Sequence, residues 1–172
     1  MTGQGGITIR PAASADQDAI WAILEPVYRA GETYCIPRDI SRDDALADWF
    51  GKPFTAFVAL ADGRILGTSH VGANRPGGGS HVANASFATH PDARGKGIAR
   101  ALVDHAKSWA AAQGFAAMQF NFVVSTNADA LHLWQKAGFA IVGRLPGAFL
   151  HPAQGYVDVL VMYHDLTGGA ET

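Results

Sequence analysis

The chain has 172 residues and a formal net charge of −2 at pH 7, and 48% of its residues are hydrophobic against 16% that are charged. A chain of this length and composition can bury the core of one domain, which excludes an intrinsically disordered protein. The slightly acidic balance argues against nucleic acid or an anionic membrane as the main partner. We therefore expect a single domain over residues 1–172.

Cysteine content and hydropathy set expectations about the compartment. Cys35 is the only cysteine, so the chain cannot form an internal disulfide, which fits a reducing compartment. Residues 1–10 lack the apolar centre of a signal peptide, and no apolar run is long enough to span a bilayer. These features predict a soluble, cytoplasmic protein.

Hydrophobic periodicity and turn residues predict the order of the secondary-structure elements. Residues 7–10 read as a strand, Ser14 as the cap of a first helix, residues 31–39 as an irregular loop, and Ser41 as the cap of a second helix. Further strands are predicted at 54–61, 65–73, 81–90, 115–124, 139–145 and 156–164, and further helices at 97–113 and 127–136. This order predicts an α/β fold, a mixed sheet with helices on both faces.

The most informative stretch, residues 86–102, holds a glycine-rich turn between a strand and a helix. Gly95 and Gly97 let the backbone adopt positive φ and come close to a ligand. The first turn of the following helix presents unpaired N–H groups and a positive dipole end, which together bind phosphate. Three basic residues surround the same point: Arg94, Lys96 and Arg100.

Two segments together resemble the GNAT superfamily of N-acetyltransferases. Arg94-x-x-Gly97-x-Ala99 matches the Q/R-x-x-G-x-G/A signature of that superfamily, after a strand and at the start of a helix as the family requires. The segment 127–139 resembles the family's N-x-x-A-x-x-L-Y-x-x-x-G-F segment. The resemblance covers residues 54–164 and implies the GNAT fold, with a mixed, mostly antiparallel sheet.

The resemblance implies an enzyme that uses acetyl-CoA as co-substrate, with no metal. The cofactor would lie between two splayed strands, its pantetheine paired with the backbone of Phe87, Ala88 and Thr89. A backbone N–H near Phe87 would polarise the thioester carbonyl. Asn127 would cap a helix and contact the pantetheine or the departing sulfur. The pyrophosphate would be held at the turn by Arg94, Gly95, Lys96, Gly97, Ile98, Ala99 and Arg100.

Trp134 departs from the family pattern, because many members have a tyrosine there that protonates the departing thiolate. An indole N–H donates a hydrogen bond but does not titrate, so Trp134 cannot be that acid. Either the thiolate leaves as an anion, helped by Asn127 and a helix N-terminus, or another donor serves. Tyr156 and Tyr163 are candidates by residue type alone.

Three asparagines suggest the substrate class. Asn84, Asn121 and Asn127 lie in apolar strands or at strand ends, where an amide costs free energy unless it is paired. Their segments 81–87 and 120–127 resemble the fungal proline-analogue acetyltransferases, which acetylate small imino acids such as azetidine-2-carboxylate. The resemblance implies that Asn84 holds the substrate, that Asn121 lies near its amine as a catalytic residue, and that Asn127 also takes part in catalysis.

Other polar residues give weaker signals. Glu32 and Tyr34 are predicted on the substrate side, because family members cover the amine site from this part of the chain. His70 and His81 could deprotonate the amine, although each also reads as a surface or hairpin histidine. The histidines and the cysteine show no metal-ligand spacing.

Three functions stay open at the level of the sequence. The first is a small-molecule amine acetyltransferase, the second a protein N-terminal acetyltransferase, and the third a module that binds acyl-CoA without turnover. The glycine-rich turn does not separate them, because it reports binding and not catalysis. The resemblance also implies a homodimer.

Overall fold

Strand-forming runs with alternating burial build a seven-stranded sheet in the computed structural model, which describes residues 6–168. The strands are β1 Thr8–Pro11, β2 Thr55–Ala61, β3 Arg64–Ala73, β4 Val82–Thr89, β5 Ala117–Val124, β6 Ala140–His151 and β7 Gly155–Asp165. The α-helices are α1 Gln17–Ala30, α2 Arg42–Trp49, α3 Ile98–Ala112 and α4 Ala128–Lys136. The predicted order of elements is confirmed.

The sheet order is β1-β2-β3-β4-β5-β7-β6. Neighbouring strands are antiparallel except β4 and β5, which are parallel, so the mixed and mostly antiparallel sheet is confirmed. Two parallel strands need a crossover, and α3 supplies it between β4 and β5. The glycine-rich turn at the start of α3 therefore lies at the end of β4.

Alternate residues of the strands enter cores on opposite faces of the sheet. In β2, Ala56 and Val58 pack with α1 and α2, whereas Phe57 packs with α3. The core on the side of α1 and α2 also contains buried Trp49 from α2. The core on the opposite face contains Val103 of α3 and extends to the helix α4. Helices on both faces thus leave the middle of the sheet covered, and the prediction is confirmed.

The predicted cap at Ser14 is wrong. Ser14 begins a single 3₁₀ turn, and the carboxylate of Asp16 accepts the N–H of Ala13 at 2.7 Å. The same carboxylate pairs with Arg10 at 2.7 Å, which lowers the pKa of Asp16 to about 2. A charge-assisted bond is stronger than the bond of a neutral hydroxyl. The Asp16 carboxylate therefore fixes the backbone of Ala13 before the 3₁₀ turn, and within the described residues no side chain caps α1.

The predicted end of the sixth strand is also wrong. Residues 146–147, a Pro-Gly pair, favour a turn, yet β6 continues to His151. The pairing with β7 shifts register between Leu145 and Phe149, and this irregularity absorbs the pair within the strand.

In the described part of the chain, no helix combines the length and the apolar character that crossing a membrane requires.

Candidate active site

The two parallel strands at the centre of the sheet separate after a short contact. β4 and β5 pair only at Val82 with Ala117 and at Ala83 with Met118. Beyond these pairs a cleft of about 540 Å³ opens between the strands, bounded by the loop that follows α1 and by α4. This is a gap of the kind that the family resemblance implies.

The exposed edge of β4 offers backbone groups to this gap. The N–H of His90, just after β4, donates to the carbonyl of Leu66 on β3 at 2.8 Å. Because backbone groups alternate in direction along a strand, those of Phe87 and Thr89 point the other way, into the gap. Those of Ala88 point to β3. The predicted backbone pairing through Ala88 is therefore wrong, although the residue borders the cleft.

The loop between α1 and α2 is held over the cleft by side-chain contacts. Arg29, in the last turn of α1, donates to the carbonyls of Arg38 and Ile40. The ring of Tyr28 meets the ring of Tyr34 edge-on, with centroids 5.7 Å apart. These contacts fix the place of Tyr34 relative to the sheet, although 53 residues separate it from Phe87 in the chain.

Tyr34 bonds to the open edge of β4. Its hydroxyl accepts the N–H of Phe87 at 3.2 Å and donates to the carbonyl of the same residue at 2.5 Å. Burial raises the pKa of Tyr34 to about 12, so the phenol is neutral at physiological pH. The predicted substrate-side residue Tyr34 thus lies in the gap itself, in contact with the N–H that the resemblance assigns to the thioester carbonyl.

The glycine-rich turn borders a second cavity of about 610 Å³, next to the first. Gly95 and Gly97 have φ of 74° and 76°, in the left-handed region that favours glycine. The N–H groups of residues 98–100, in the first turn of α3, have no carbonyl partner among the described residues. The N–H of Lys96 donates to Ala93 at 3.0 Å, so its predicted contact with a phosphate is not supported.

The three basic side chains at the turn differ in position. Arg94 and Arg100 line the second cavity, whereas Lys96 is exposed and does not. Arg100 is also paired with Asp104 on α3 at 2.7 Å. Of the two arginines that line this cavity, Arg94 is therefore the one with no ion-pair partner among the described residues.

A chain of three amides lies beside the cleft. Asn121 donates through Nδ2 to Oδ1 of Asn74 at 2.6 Å and accepts through Oδ1 from Gln119 at 2.9 Å. The pairing of β5 with β7 shifts register between Phe120 and Val123, which places Asn121 in a bulge. Bulges re-aim side chains, so this irregularity turns the amide towards the cleft. Two of the four hydrogen-bonding positions of Asn121 remain for a ligand.

Asn84, Asn121 and Asn127 all line the cleft, so the structure brings the three predicted asparagines together. The side chain of Asn84 has no hydrogen-bond partner within residues 6–168 and is half-buried. Asn127 caps α4, where its Oδ1 accepts the N–H of Ala130 at 3.4 Å. Its Nδ2 stays available as a donor to the cleft.

Trp134 forms one wall of the cleft. Its ring lies 5.1 Å from the ring of Phe87 and 5.1 Å from the ring of Phe120, measured between centroids. The indole thus packs against both splayed strands, which indicates a structural role for the residue that replaces the family's tyrosine.

Several predicted residues do not join the site. Glu32 is exposed and does not line the cleft. His70 is a core residue, stacked at 4.3 Å between Trp49 and Phe54, and burial lowers its pKa. His81 is exposed at the far end of β4. Within residues 6–168, no cluster of three His, Cys, Asp or Glu side chains could hold a metal ion.

Sequence reasoning missed five polar residues that line the cleft or bond to Asn121. Thr33, Ser86 and Asp129 line the cleft, and Asn74 and Gln119 bond to Asn121. Ser86 could have been predicted, because it lies two residues after Asn84 and therefore on the same face of β4. Asn74 could not, because its contact spans 47 residues of chain.

Comparison with known proteins agrees with this geometry. Residues 18–139 match the model of the acetyltransferase (GNAT) family. The chain is 30% identical over 153 residues to the N-acetyltransferase aca1 of Schizosaccharomyces pombe, an alignment that covers 78% of this chain and 73% of that protein.

Solved structures show the same fold. A GCN5-related N-acetyltransferase from Kribbella flavida is 40% identical, with a TM-score of 0.88 over 92% of this chain and 97% of that chain. The yncA protein of Salmonella typhimurium, solved with its cofactor acetyl-CoA, is 24% identical, with a TM-score of 0.83 over 97% of this chain and 98% of that one. The splayed strands, the glycine-rich turn and these matches have one explanation: the chain belongs to the acetyltransferase (GNAT) family and is an acetyl-CoA-dependent N-acetyltransferase.

Proposed function

We propose that the chain moves an acetyl group from acetyl-CoA to the amine of a small amino or imino acid of the proline-analogue type. The observation that carries the proposal is the lining of the cleft. Among the described residues that line it, Asp129 is the only aspartate, glutamate, lysine or arginine, and the other polar side-chain groups are amides, hydroxyls, the Cys35 thiol and the Trp134 indole.

Acetyl-CoA would lie across both cavities. The unpaired N–H groups of residues 98–100, together with Arg94, are suited to the pyrophosphate. The gap beside Phe87 and Thr89 offers backbone groups for the pantetheine arm. Asn127 stands where the arm would reach α4, with a free amide donor.

The amine substrate would enter from the side of the amide chain. Asn84 and Asn121 offer hydrogen bonds to a carboxylate and an amine, and Asn121 is held in one orientation by its two neighbours. An amide can orient an amine, or a water that accepts its proton, but it cannot act as a base. We therefore assign Asn84 to carboxylate binding and Asn121 to placement of the amine.

Protein N-terminal acetylation is the competing activity. Apolar side chains make up most of the cleft lining, and the polar ones among them are mostly short amides and hydroxyls, which suits a compact substrate; the exposed Glu32 lies outside the cleft. Both activities use the same cofactor site, so only the acceptor separates them.

The homodimer also remains a proposal. The hairpin of β6 and β7 forms one edge of the sheet and exposes apolar side chains, among them Val142 at 61%, Leu150 at 62% and Tyr156 at 78%. Exposed apolar patches often mark protein interfaces. Light scattering of the purified protein would give the molar mass, and a monomer at micromolar concentration would overturn the proposal.

The test of the substrate is thiol release from acetyl-CoA with matched acceptors. Azetidine-2-carboxylate and proline should release thiol, azetidine without its carboxylate should do so much more slowly, and Asn84→Ala should narrow that difference. Turnover with a peptide N-terminus but with none of the small acids would contradict the proposal in favour of protein acetylation.

A further inference from the structure

The departing sulfur needs a proton, and Trp134, at the position of the family's tyrosine, cannot supply it because an indole does not titrate. Three described residues that line the cleft can titrate: Tyr34, Cys35 and Asp129. Cys35 and Asp129 are exposed, and Asp129 also borders the second cavity. Tyr34 alone among them bonds to the backbone of β4.

The hydroxyl of Tyr34 occupies the point on β4 where the thioester is expected. It holds both the N–H and the carbonyl of Phe87, the two groups that the strand otherwise offers to a partner in the gap. A thioester carbonyl that takes this N–H must displace the hydroxyl, while Tyr28 and the Arg29 contacts keep the loop where it is. The carbonyl oxygen and the sulfur are bonded to the same carbon, so a displaced hydroxyl beside one is also beside the other.

We propose that Tyr34 is the proton donor to the departing sulfur of CoA, replacing the tyrosine that this chain lacks at position 134. As the C–S bond breaks, its electron pair moves to sulfur and the proton of the Tyr34 hydroxyl joins it. The acetylated nitrogen loses one proton in the same reaction, and that proton returns to the tyrosine oxygen, directly or through one water. The sum is an amide and a free thiol, with Tyr34 unchanged.

The surroundings of Tyr34 favour such a relay over two separate steps. Burial raises its pKa to about 12, and the bond to the Phe87 carbonyl opposes that rise only in part. A free tyrosinate is therefore unstable at neutral pH, and the proton has to be replaced as it leaves. The neighbouring titratable groups are Tyr28 and Cys35, and burial raises the pKa of both. Neither supplies a charge that would ionise Tyr34.

The kinetic test compares Tyr34→Phe with Tyr28→Phe. Both changes remove one hydroxyl from the same aromatic pair and keep both rings. Tyr34→Phe should lower kcat about 100-fold, the low end of what general acid–base catalysis contributes. Its affinity for acetyl-CoA should not fall, because the lost hydroxyl competes with the cofactor for Phe87. Tyr28→Phe should keep the wild-type kcat. An unchanged kcat in Tyr34→Phe would overturn the proposal.

The second test needs no turnover and no knowledge of the amine. A donor beside sulfur favours the thiolate, so it lowers the pKa of bound CoA below the value of about 8.5 that is usual for a free thiol. CoA affinity measured by calorimetry should then rise between pH 7 and 9 in the wild type, less so in Tyr34→Phe, and not at all for desulfo-CoA. The same rise in wild type and Tyr34→Phe would mean that the hydroxyl is not beside the sulfur.

The two proposals fail separately. The inference about Tyr34 rests on acetyl transfer in this cleft but not on the identity of the amine. If no small amino acid reacts, the substrate proposal is wrong, while the CoA titration still decides the role of Tyr34.

Discussion

Gly97→Glu should remove most of the affinity for acetyl-CoA. At φ of 76° a residue with a Cβ is strained by about 1–2 kcal/mol. The added Cβ itself meets only Ile7, at 3.9 Å, so packing is not the main cost. The carboxylate would enter the cavity in front of the free N–H groups of residues 98–100. At about 4 Å from one phosphate charge, repulsion is about 1 kcal/mol in water and about 4 kcal/mol at an effective dielectric constant of about 20.

The repulsion in water and at the lower dielectric constant brackets a loss of about 3 kcal/mol of binding free energy, which raises Kd for acetyl-CoA about 100-fold. Calorimetry measures it directly. Gly97→Ala separates strain from charge, and should weaken binding far less. Gly63→Glu is the matched control, because Gly63 has φ of 74° in open space at the turn between β2 and β3. That variant carries the same strain and charge and should bind acetyl-CoA as the wild type does. Unchanged affinity in a folded Gly97→Glu variant would refute the assignment of the pyrophosphate site.

Four further substitutions separate the roles of residues in the cleft and in the fold. Trp134→Phe should keep most of kcat and lower the free energy of unfolding by about 1–2 kcal/mol, because the Trp134 ring packs between two strands. A large fall in kcat at an unaltered melting temperature would show a catalytic role. Asn121→Ala should lower kcat more than it weakens acetyl-CoA binding. Asn84→Ala should instead raise KM for the amine by one to two decades, because a hydrogen bond to a charged carboxylate contributes about 1.5–3 kcal/mol. Steady-state kinetics with both substrates distinguishes the two variants, and equal effects on kcat would contradict the assignment. Asp16→Asn should cost about 1–2 kcal/mol at pH 7 through loss of the Arg10 pair. Because the folded pKa of Asp16 is lowered to about 2, that difference should shrink as pH falls from about 4 towards 2, and denaturant unfolding across this range that shows no such convergence would contradict it.

The cofactor side of the site was open to prediction because its determinants are local. A turn with two residues at positive φ favours glycine at both, and Gly95 and Gly97 stand on either side of Lys96 in the pattern. The helix N-terminus that follows supplies the unpaired N–H groups whatever its side chains are. Two residues differ from the prediction. The N–H of Lys96 closes a local turn to Ala93, and the backbone of Ala88 points to β3, and residue type reveals neither bond.

The amine side was harder because distant segments build it. Tyr34 reaches Phe87 across 53 residues, and Asn121 reaches Asn74 across 47. In an irregular loop no period decides which side chain turns inward, so Glu32 and Tyr34 were predicted alike, and only Tyr34 lines the cleft. His70 was misjudged for the same reason, since the aromatic rings that bury it come from a helix and a loop outside its own strand.

A crystal structure of the chain with acetyl-CoA tests the central claim most directly. The account predicts pyrophosphate on the N–H groups of residues 98–100, pantetheine in the gap between β4 and β5, and the thioester carbonyl on the N–H of Phe87. The Tyr34 hydroxyl should then have left Phe87 and should lie within hydrogen-bond distance of the sulfur. A cofactor bound outside the gap, or a Tyr34 hydroxyl that still holds Phe87 while the thioester lies elsewhere, would contradict the account.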